Sequence, residues 1–502
     1  MKKPFVIGLD IGTTSAKAVL FDLNGIVIAE KESAYLTHHP QPGWSEQNPD
    51  DVEKAARKAI AQAVDASRGS KEAILAVGIS SAMHSLICCD QLGKALSPSI
   101  TWADGRSSHI AEKWKQNGND FIFSRTGTPV HPMSPLLKLA WMKENNYAPY
   151  REAGRFFSIK EFLTWHWFGE AVVDYSVASS SGLFDIYDLD WNEEALKLAG
   201  ISSGQLSDPV PPSYILQGLP KDIAEEMGLA AETPFVIGGS DGPLANLGIG
   251  AIQPVDTALT VGTSGAIRQM SSEPYTDDKQ EVFTYAVDKD LWVMGGPTNN
   301  GAIVLQWLKE LFGDALDEEA LSSNVMELLT KEAANVPAGA DNLLFLPYLN
   351  GERAPFWDAN ARGTYIGLSM THKRPHMVRA GLEGVMFNLY HIYESVSRLT
   401  DGTPNIYASG GFSRSELWLQ ILADVFGEPI HIPESHQSSA WGAAWIALKA
   451  IGKVSSYKDI KAHVPMKKTI EPISENHKKY AELYQTFKEL YPVLQPHFKS
   501  LR

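Results

Sequence analysis

Asp10-Ile-Gly12-Thr13-Thr14-Ser15-Ala-Lys17 sets a carboxylate, a glycine, three hydroxyls and an amine side by side. Such a run is either a plain hairpin turn, since Gly and Thr are ordinary turn residues, or a cradle for phosphate. In a cradle, Gly12 lets the backbone approach an anion, Thr13 and Thr14 add donors, and Lys17 supplies charge. Asp10 would then stand where a magnesium ion bridging phosphates needs a carboxylate. A second turn of the same kind, Gly262-Thr263-Ser264-Gly265, favours the cradle. No Gly-x4-Gly-Lys-(Ser/Thr) run occurs, which excludes a Walker-type loop. Asp241, in Gly238-Gly-Ser-Asp-Gly-Pro243, reads as a helix N-cap with proline in the first turn. It reads equally as a general base for a hydroxyl attacking ATP, and one helix start could serve both. Gly410-Gly411 is either a plain strand-to-helix connection or a close backbone approach to a flat ligand such as adenosine. Met83, His84, Trp102, Asp104, Arg106 and Lys160 bring polar groups and an aromatic ring to loops, where each alone is ordinary.

Elements must carry these residues. The apolar run 5–9 predicts a strand, residues 16–22 a second, and Asn24-Gly25 a hairpin turn into a third from Ile26. Residues 50–66 have helical spacing, with Asp50 after Pro49 as the expected cap. Residues 73–80 predict a buried strand feeding the Met83–His84 loop. Strands alternating with long helices imply an α/β fold. Because both Gly-hydroxyl turns lie between strand patterns, the chain reads as a duplicated, two-lobed architecture, with a period far too long for a solenoid. The two turns are expected to face each other across a cleft. Gly238–Pro243 reads as a hinge, which places a boundary near Gly250. The expected parts are a first lobe over 1–250, a second over 251–455 and a charged helical tail over 456–502. Helices are expected in the second lobe at 301–312, 376–399, 415–426 and 438–451.

A chain of 502 residues fits two large lobes, or three domains of about 150 residues. With 44% hydrophobic and 21% charged residues it has the mix of a soluble globular protein, which excludes disorder, collagen and coiled coil. A net charge of −15 argues against general nucleic-acid or anionic-membrane binding, both of which need a basic face. An anionic substrate would need a local positive patch. Cys88 and Cys89 are adjacent and cannot staple distant segments. No apolar run approaches the ~18 residues of a membrane span, and Asp10 breaks the first apolar stretch too early for a signal peptide. The expected setting is reducing and cytoplasmic.

Together these segments resemble the FGGY carbohydrate kinases, a branch of the actin, hexokinase and heat-shock-chaperone ATPase superfamily. The likeness covers nearly the whole chain. It rests on Asp10–Lys17, on Met133-Ser-Pro-Leu-Leu-Lys138-Leu-Ala-Trp141 with its Met-x-Pro-x-x-Lys-x-x-Trp spacing, on Gly239-Ser-Asp241-Gly and on Gly262–Gly265. Tyr348-Leu-Asn-Gly-Glu-Arg-Ala-Pro355 with Ala361-Arg-Gly-Thr, and Gly410-Gly411, complete it. The resemblance implies a two-lobed actin-like (ribonuclease H-like) α/β fold with a deep interlobe cleft. Sugar would bind mainly to the first lobe, and ATP with Mg2+ to the second lobe and both phosphate turns. It implies Asp241 as catalytic base and Asp10 as the magnesium-linked carboxylate. Gly12, Thr13, Thr14 and Lys17 would make the first phosphate contact, and Gly262 and Thr263 the second. Asn300, Gly301 and Gln306 would line the nucleotide, with spacing slightly different from that of glycerol kinases, and Gly410 and Gly411 would meet the adenosine. A homodimer is common among such relatives.

The segments Ser80–Ser85, Ile100–Arg106, Arg125–Met133 and Ser158–Glu161 look like those of FGGY-type gluconate kinases. Ser85 follows Met83-His84 where xylulose kinases typically carry Gly, and glycerol kinases carry Arg-Glu at that place. By this resemblance Met83, His84, Trp102, Asp104, Arg106, His131, Lys160 and Asp241 bind the substrate. His84, Arg106, His131 and Lys160 would supply the positive surface, with Lys160 or His84 facing the carboxylate. The expected reaction passes phosphate from ATP to the 6-hydroxyl of D-gluconate, Asp241 taking the proton. A ketopentose such as xylulose is the alternative acceptor. A different class is a non-catalytic actin-like filament subunit or nucleotide-gated binding module, against which stand Asp241 and the long first-lobe loops.

Overall fold

Residues 5–34 form three consecutive antiparallel strands in the computed structural model: Phe5–Ile11, Ser15–Asp22 and Val27–Ala34. The structure describes residues 4–67, 71–313, 325–400, 402, 404–434 and 437–501. Asp22 Oδ1 accepts from the backbone N–H groups of Asn24 and Ile26, and Gly25 at φ +87° turns the chain between the second and third strands. The helix that follows is Pro49–Ala66. Its cap is Asn48, whose side chain accepts from Asp50 N–H, so Asp50 lies inside the first turn and is not the expected cap.

The chain packs as two compact units. One contains Met1–Gln253, Met270–Met294 and Gln437–Val464, and the other Pro254–Gln269, Gly295–His436 and Pro465–Arg502. In the first, a six-stranded sheet runs Ile215–Leu216, Phe235–Ser240, Ile74–Ser81, Phe5–Ile11, Ser15–Asp22, Val27–Ala34. The central three are parallel to one another. Alternation along Phe5–Ile11 divides the core. Ile7, Leu9 and Ile11 pack with Val52, Ile60 and Trp167 on one side. Val6 packs on the other with Val19, Ala76 and the helix Ser438–Ala450.

That helix lies against bare backbone. A Cβ on Gly8 would stand 1.9 Å from the Ala440 carbonyl oxygen, and one on Gly78 2.0 Å from that of Ala443. Backbone cannot yield as a flexible side chain does, so Gly8→Ala is expected to cost about 1–3 kcal/mol through overpacking, read as a lowered urea midpoint with unchanged m-value.

Between the sheet strands Ile74–Ser81 and Ile215–Leu216 the chain builds a further core that includes Leu86, Ile100, Trp114, Leu137, Trp141 and Leu196. The expected sugar-binding loops belong to this insertion.

The second unit opens as the first does. Asp256–Val261 pairs antiparallel with the strand beginning at Gly265, across Gly262-Thr263-Ser264. Asn405–Ser409 runs parallel beside it, followed by Ile430–Pro433 and Met466–Ile470. The segment expected to stand apart as a tail divides between the units. Residues 457–463 pack with the first, while the helix Ser474–Phe498 buries Tyr480, Tyr484, Phe487 and Tyr491 in the second.

Candidate active site

Strand register brings the candidate residues of the first unit together. Asp10 pairs with Ser80 and Ser80 with Gly239, so three parallel strands end in one row. Open α/β sheets bind ligands at the carboxyl ends of their strands. Asp241 begins the helix Asp241–Gly248 two residues past Gly239, the member of this row on its strand. Ser240, not Asp241, occupies the N-cap position, and it makes no side-chain capping bond. The capping expectation for Asp241 is therefore corrected. Its carboxylate sits in the first turn, half-buried, with Oδ1 accepting from Gly242 N–H at 2.8 Å.

Lys160 is also a correction. Its side chain is 1% exposed, and its three donors go to Asp174 Oδ2 (2.7 Å), the Gly239 carbonyl (2.7 Å) and the Ile237 carbonyl (3.1 Å). An ammonium has three protons, so none remains for a substrate carboxylate. Asp174 in turn accepts from Ser176 Oγ at 2.6 Å, and that hydroxyl accepts from Ser240 N–H at 2.7 Å. Lys160, Asp174 and Ser176 thus fix the backbone on which Asp241 is mounted. Burial pulls the Lys160 pKa down, opposed by Asp174 and by the charge of Asp241.

Asp10 Oδ1 accepts from Ser80 Oγ at 2.7 Å. Burial pushes its carboxyl pKa up, opposed by that bond and by the charges of Lys17 and Lys160. A cation would relieve the same desolvation penalty. Among the described residues no group of three or more His, Cys, Asp or Glu converges on a metal position. One carboxylate is nonetheless enough for a magnesium ion that travels with a triphosphate, so Asp10 fits that role. Lys17 is not an isolated cation, because its Nζ pairs with Glu30 at 3.2 Å.

Arg106 and Asp104 are tied mainly to each other. The guanidinium donates to both Asp104 oxygens (2.7 and 2.8 Å) and to Glu46 (2.6 Å), and lies 3.7 Å from the Trp44 ring centre. Asp104 also accepts from Ser45 N–H and Arg106 N–H. With Arg106 and Lys160 both engaged by carboxylates, the expected four-residue positive patch does not form. His84 and His131 have their rings oriented by backbone: His84 Nδ1 meets the Ser180 carbonyl at 2.8 Å, and His131 Nδ1 accepts from Met133 N–H at 3.2 Å. Met83 packs against the apolar cluster that includes Met270, Phe283 and Tyr285. Trp102 Nε1–H donates to Thr13 Oγ1 at 3.0 Å, joining the 100–106 segment to the Gly12–Thr14 turn.

In the second unit the helix Ile303–Gly313 starts against the other turn. Gly301 N–H and Ile303 N–H donate to the Thr263 carbonyl, and Ala302 N–H to that of Gly262. A Cβ on Gly301 would stand 2.6 Å from the Ser264 carbonyl, so only glycine seats this join. Asn300 corrects expectation. It is fully buried, donating to the Gly351 carbonyl (2.8 Å) and Glu352 (3.1 Å) and accepting from Asn350 N–H (3.2 Å). It anchors the 350–352 loop. Gln306 donates to Glu310 at 2.9 Å, one turn along its own helix. Gly410 has φ +108°, and a Cβ there would meet the Val261 carbonyl at 2.3 Å. Beside Gly411 there is open space to 4 Å, room for a ligand to approach the backbone.

Sequence reading missed several members. Lys138, fully buried, donates to the carbonyls of His84, Ile100 and Thr101, and burial pulls its ammonium down to about 7. It secures the His84 loop, whose φ is +66°. Its place in the Met-x-Pro-x-x-Lys-x-x-Trp spacing was the available signal. Glu352 accepts from Thr298 Oγ1, Asn300, Asn388 and the N–H groups of Asn299 and Arg353. It lies in the Gly-Glu-Arg motif, which by itself names no partner.

Comparison with known proteins bears on these features. A profile described as "FGGY family of carbohydrate kinases, N-terminal domain" matches residues 5–248, and its C-terminal counterpart matches 257–451. The gluconokinase of Bacillus subtilis (strain 168) is 42% identical over 502 aligned residues, covering 99% of this chain and 97% of the relative. The crystal structure of gluconate kinase from Lactobacillus acidophilus is similar at TM-score 0.95 and 33% identity, covering all of both chains. A ligand-bound xylulose kinase from the same organism is similar at TM-score 0.95 and 33% identity, covering 99% of this chain and 100% of its own. No helix among the described residues is long and apolar enough to cross a membrane.

Proposed function

The chain belongs to the FGGY family of carbohydrate kinases, and from that premise we propose that it phosphorylates the 6-hydroxyl of D-gluconate with ATP, giving 6-phosphogluconate and ADP. The full-length identity to a gluconokinase carries the choice of acceptor. The reaction class accounts for both units' hardware. Asp241, mounted on a helix start and backed by the Lys160–Asp174–Ser176 lattice, accepts the acceptor hydroxyl's proton. Phosphoryl transfer asks little covalent work of the protein, so orientation and charge compensation dominate. Each of the Gly12–Thr14 and Gly262–Ser264 turns offers donors suited to phosphate oxygens, and the backbone at Gly410-Gly411 admits the adenosine. Asp10 would hold the magnesium ion, which neutralises charge on the phosphates. His84 and His131, rather than Lys160, are the side chains for the gluconate carboxylate.

The xylulose kinase with an equal TM-score keeps a ketopentose as the competing acceptor. A coupled ADP-release assay across D-gluconate, D-xylulose, D-ribulose and glycerol is expected to give the highest kcat/KM for gluconate by at least tenfold. A higher value for xylulose would reject this acceptor. ATP binding without phosphorylation of any polyol would favour the non-catalytic reading.

A further inference from the structure

We infer that Tyr35, Gln47 and Trp102 are positioning residues that convert the Gly12–Thr14 bend into a seat made only of donors. This rests on the reading that the bend receives phosphate. A peptide carbonyl facing a phosphate repels it, and this bend has three. All three are occupied. The Gly12 carbonyl accepts from Tyr35 Oη at 2.6 Å, that of Thr13 from Gln47 Nε2 at 2.5 Å, and that of Thr14 from Tyr35 N–H at 3.1 Å. In a trans peptide the N–H points opposite to the C=O. Holding the Gly12 and Thr13 carbonyls against Tyr35 and Gln47 therefore turns the N–H groups of Thr13 and Thr14 away from them, as oriented dipoles suited to an anion.

Two further contacts tighten the seat. The Gln47 amide also donates to Thr37 Oγ1 at 2.9 Å, which fixes its plane. The Thr13 hydroxyl accepts from the Trp102 indole at 3.0 Å, so its own hydrogen is directed elsewhere. Trp102 also lines a small cavity with Met83, Ser85 and Thr101. The same cavity is bordered by Gly12, Thr13, Tyr35 and Gln47, so the ring packs beside the bend whose hydroxyl it sets. None of this is local in sequence: the three side-chain partners lie 23, 34 and 89 residues from the bend.

Calorimetric titration of the full chain with Mg-AMPPNP, without any sugar, tests the seat in Tyr35→Phe, Gln47→Leu and the double variant. Each lost bond is expected to raise Kd about five- to tenfold. The KM for ATP should rise similarly while the acceptor KM stays within twofold and the melting temperature within a few degrees. AMPPNP binding by the double variant with wild-type affinity would overturn the inference, as would an acceptor KM that rises as much as that for ATP. If these variants do not fold, Trp102→Phe keeps the ring, removes the donor to Thr13 and is judged by Mg-AMPPNP affinity alone, wild-type affinity overturning the inference. Because no sugar is present, a wild-type chain that ignores gluconate defeats the proposed acceptor and leaves this comparison intact.

Discussion

Asp241→Asn is expected to turn over gluconate about 10²–10⁴-fold more slowly than the native chain, the usual contribution of a positioned acid or base. The exchange is nearly isosteric. Asparagine can still accept from Gly242 N–H through its side-chain oxygen, and the position lies in neither the Gly12–Thr14 nor the Gly262–Ser264 turn. Melting temperature and ATP affinity should therefore stay close to native values. The split matters because simple loss of structure would degrade binding and turnover together. Coupled ADP release gives the rate, and calorimetry with Mg-AMPPNP gives the affinity. Native turnover in this variant would remove Asp241 from the chemistry.

The second large effect is on stability. Lys160→Met leaves Asp174 charged and buried without its cation, and leaves the Ile237 and Gly239 carbonyls without their shared donor. Breaking one side of a buried ion pair costs about 3–5 kcal/mol, a large share of the 5–15 kcal/mol that holds a typical domain folded. Lys160→Met combined with Asp174→Asn should cost less than the sum of the single variants, because the second change removes the stranded charge. Urea titration of all four proteins closes that cycle. Strict additivity would mean that the pair is not coupled as its geometry demands. Below its melting point Lys160→Met should also lose kcat, since the strand end carrying Asp241 is no longer held.

The parts of the site that depend on short-range chemistry were legible in the chain. A strand, a glycine, hydroxyls and a second strand must make a tight bend, and both such bends are present, each with a glycine N–H donating across the turn: Gly12 to the Ser15 carbonyl and Gly262 to that of Ser264. Asp-Gly-Pro predicted a helix start, and the helix begins at Asp241. What was illegible depends on distant partners. Lys160 looked like a cation for substrate because nothing near it announced Asp174 or the carbonyls of Ile237 and Gly239. Arg106 is the exception, because its main partner Asp104 stands only two positions away and only Glu46 is remote; Asn300 looked like a ligand contact because its 350–352 partners are about fifty positions on. A polar side chain advertises its chemistry locally, but whether that chemistry is already satisfied is decided by the fold.

The helix Ser438–Ala450, resting on the glycines of the first sheet, has a consequence for biogenesis. Translation delivers the sheet strands through Ser240 long before the helix that covers one of their faces emerges. Until roughly residue 464 leaves the ribosome, Val6, Val19, Ala76 and Val236 have lost that cover and stay open to water or to a chaperone. A fragment ending at Gln253 should accordingly be insoluble when made alone. Supplying residues 437–464 as a separate peptide during refolding should restore it to solution.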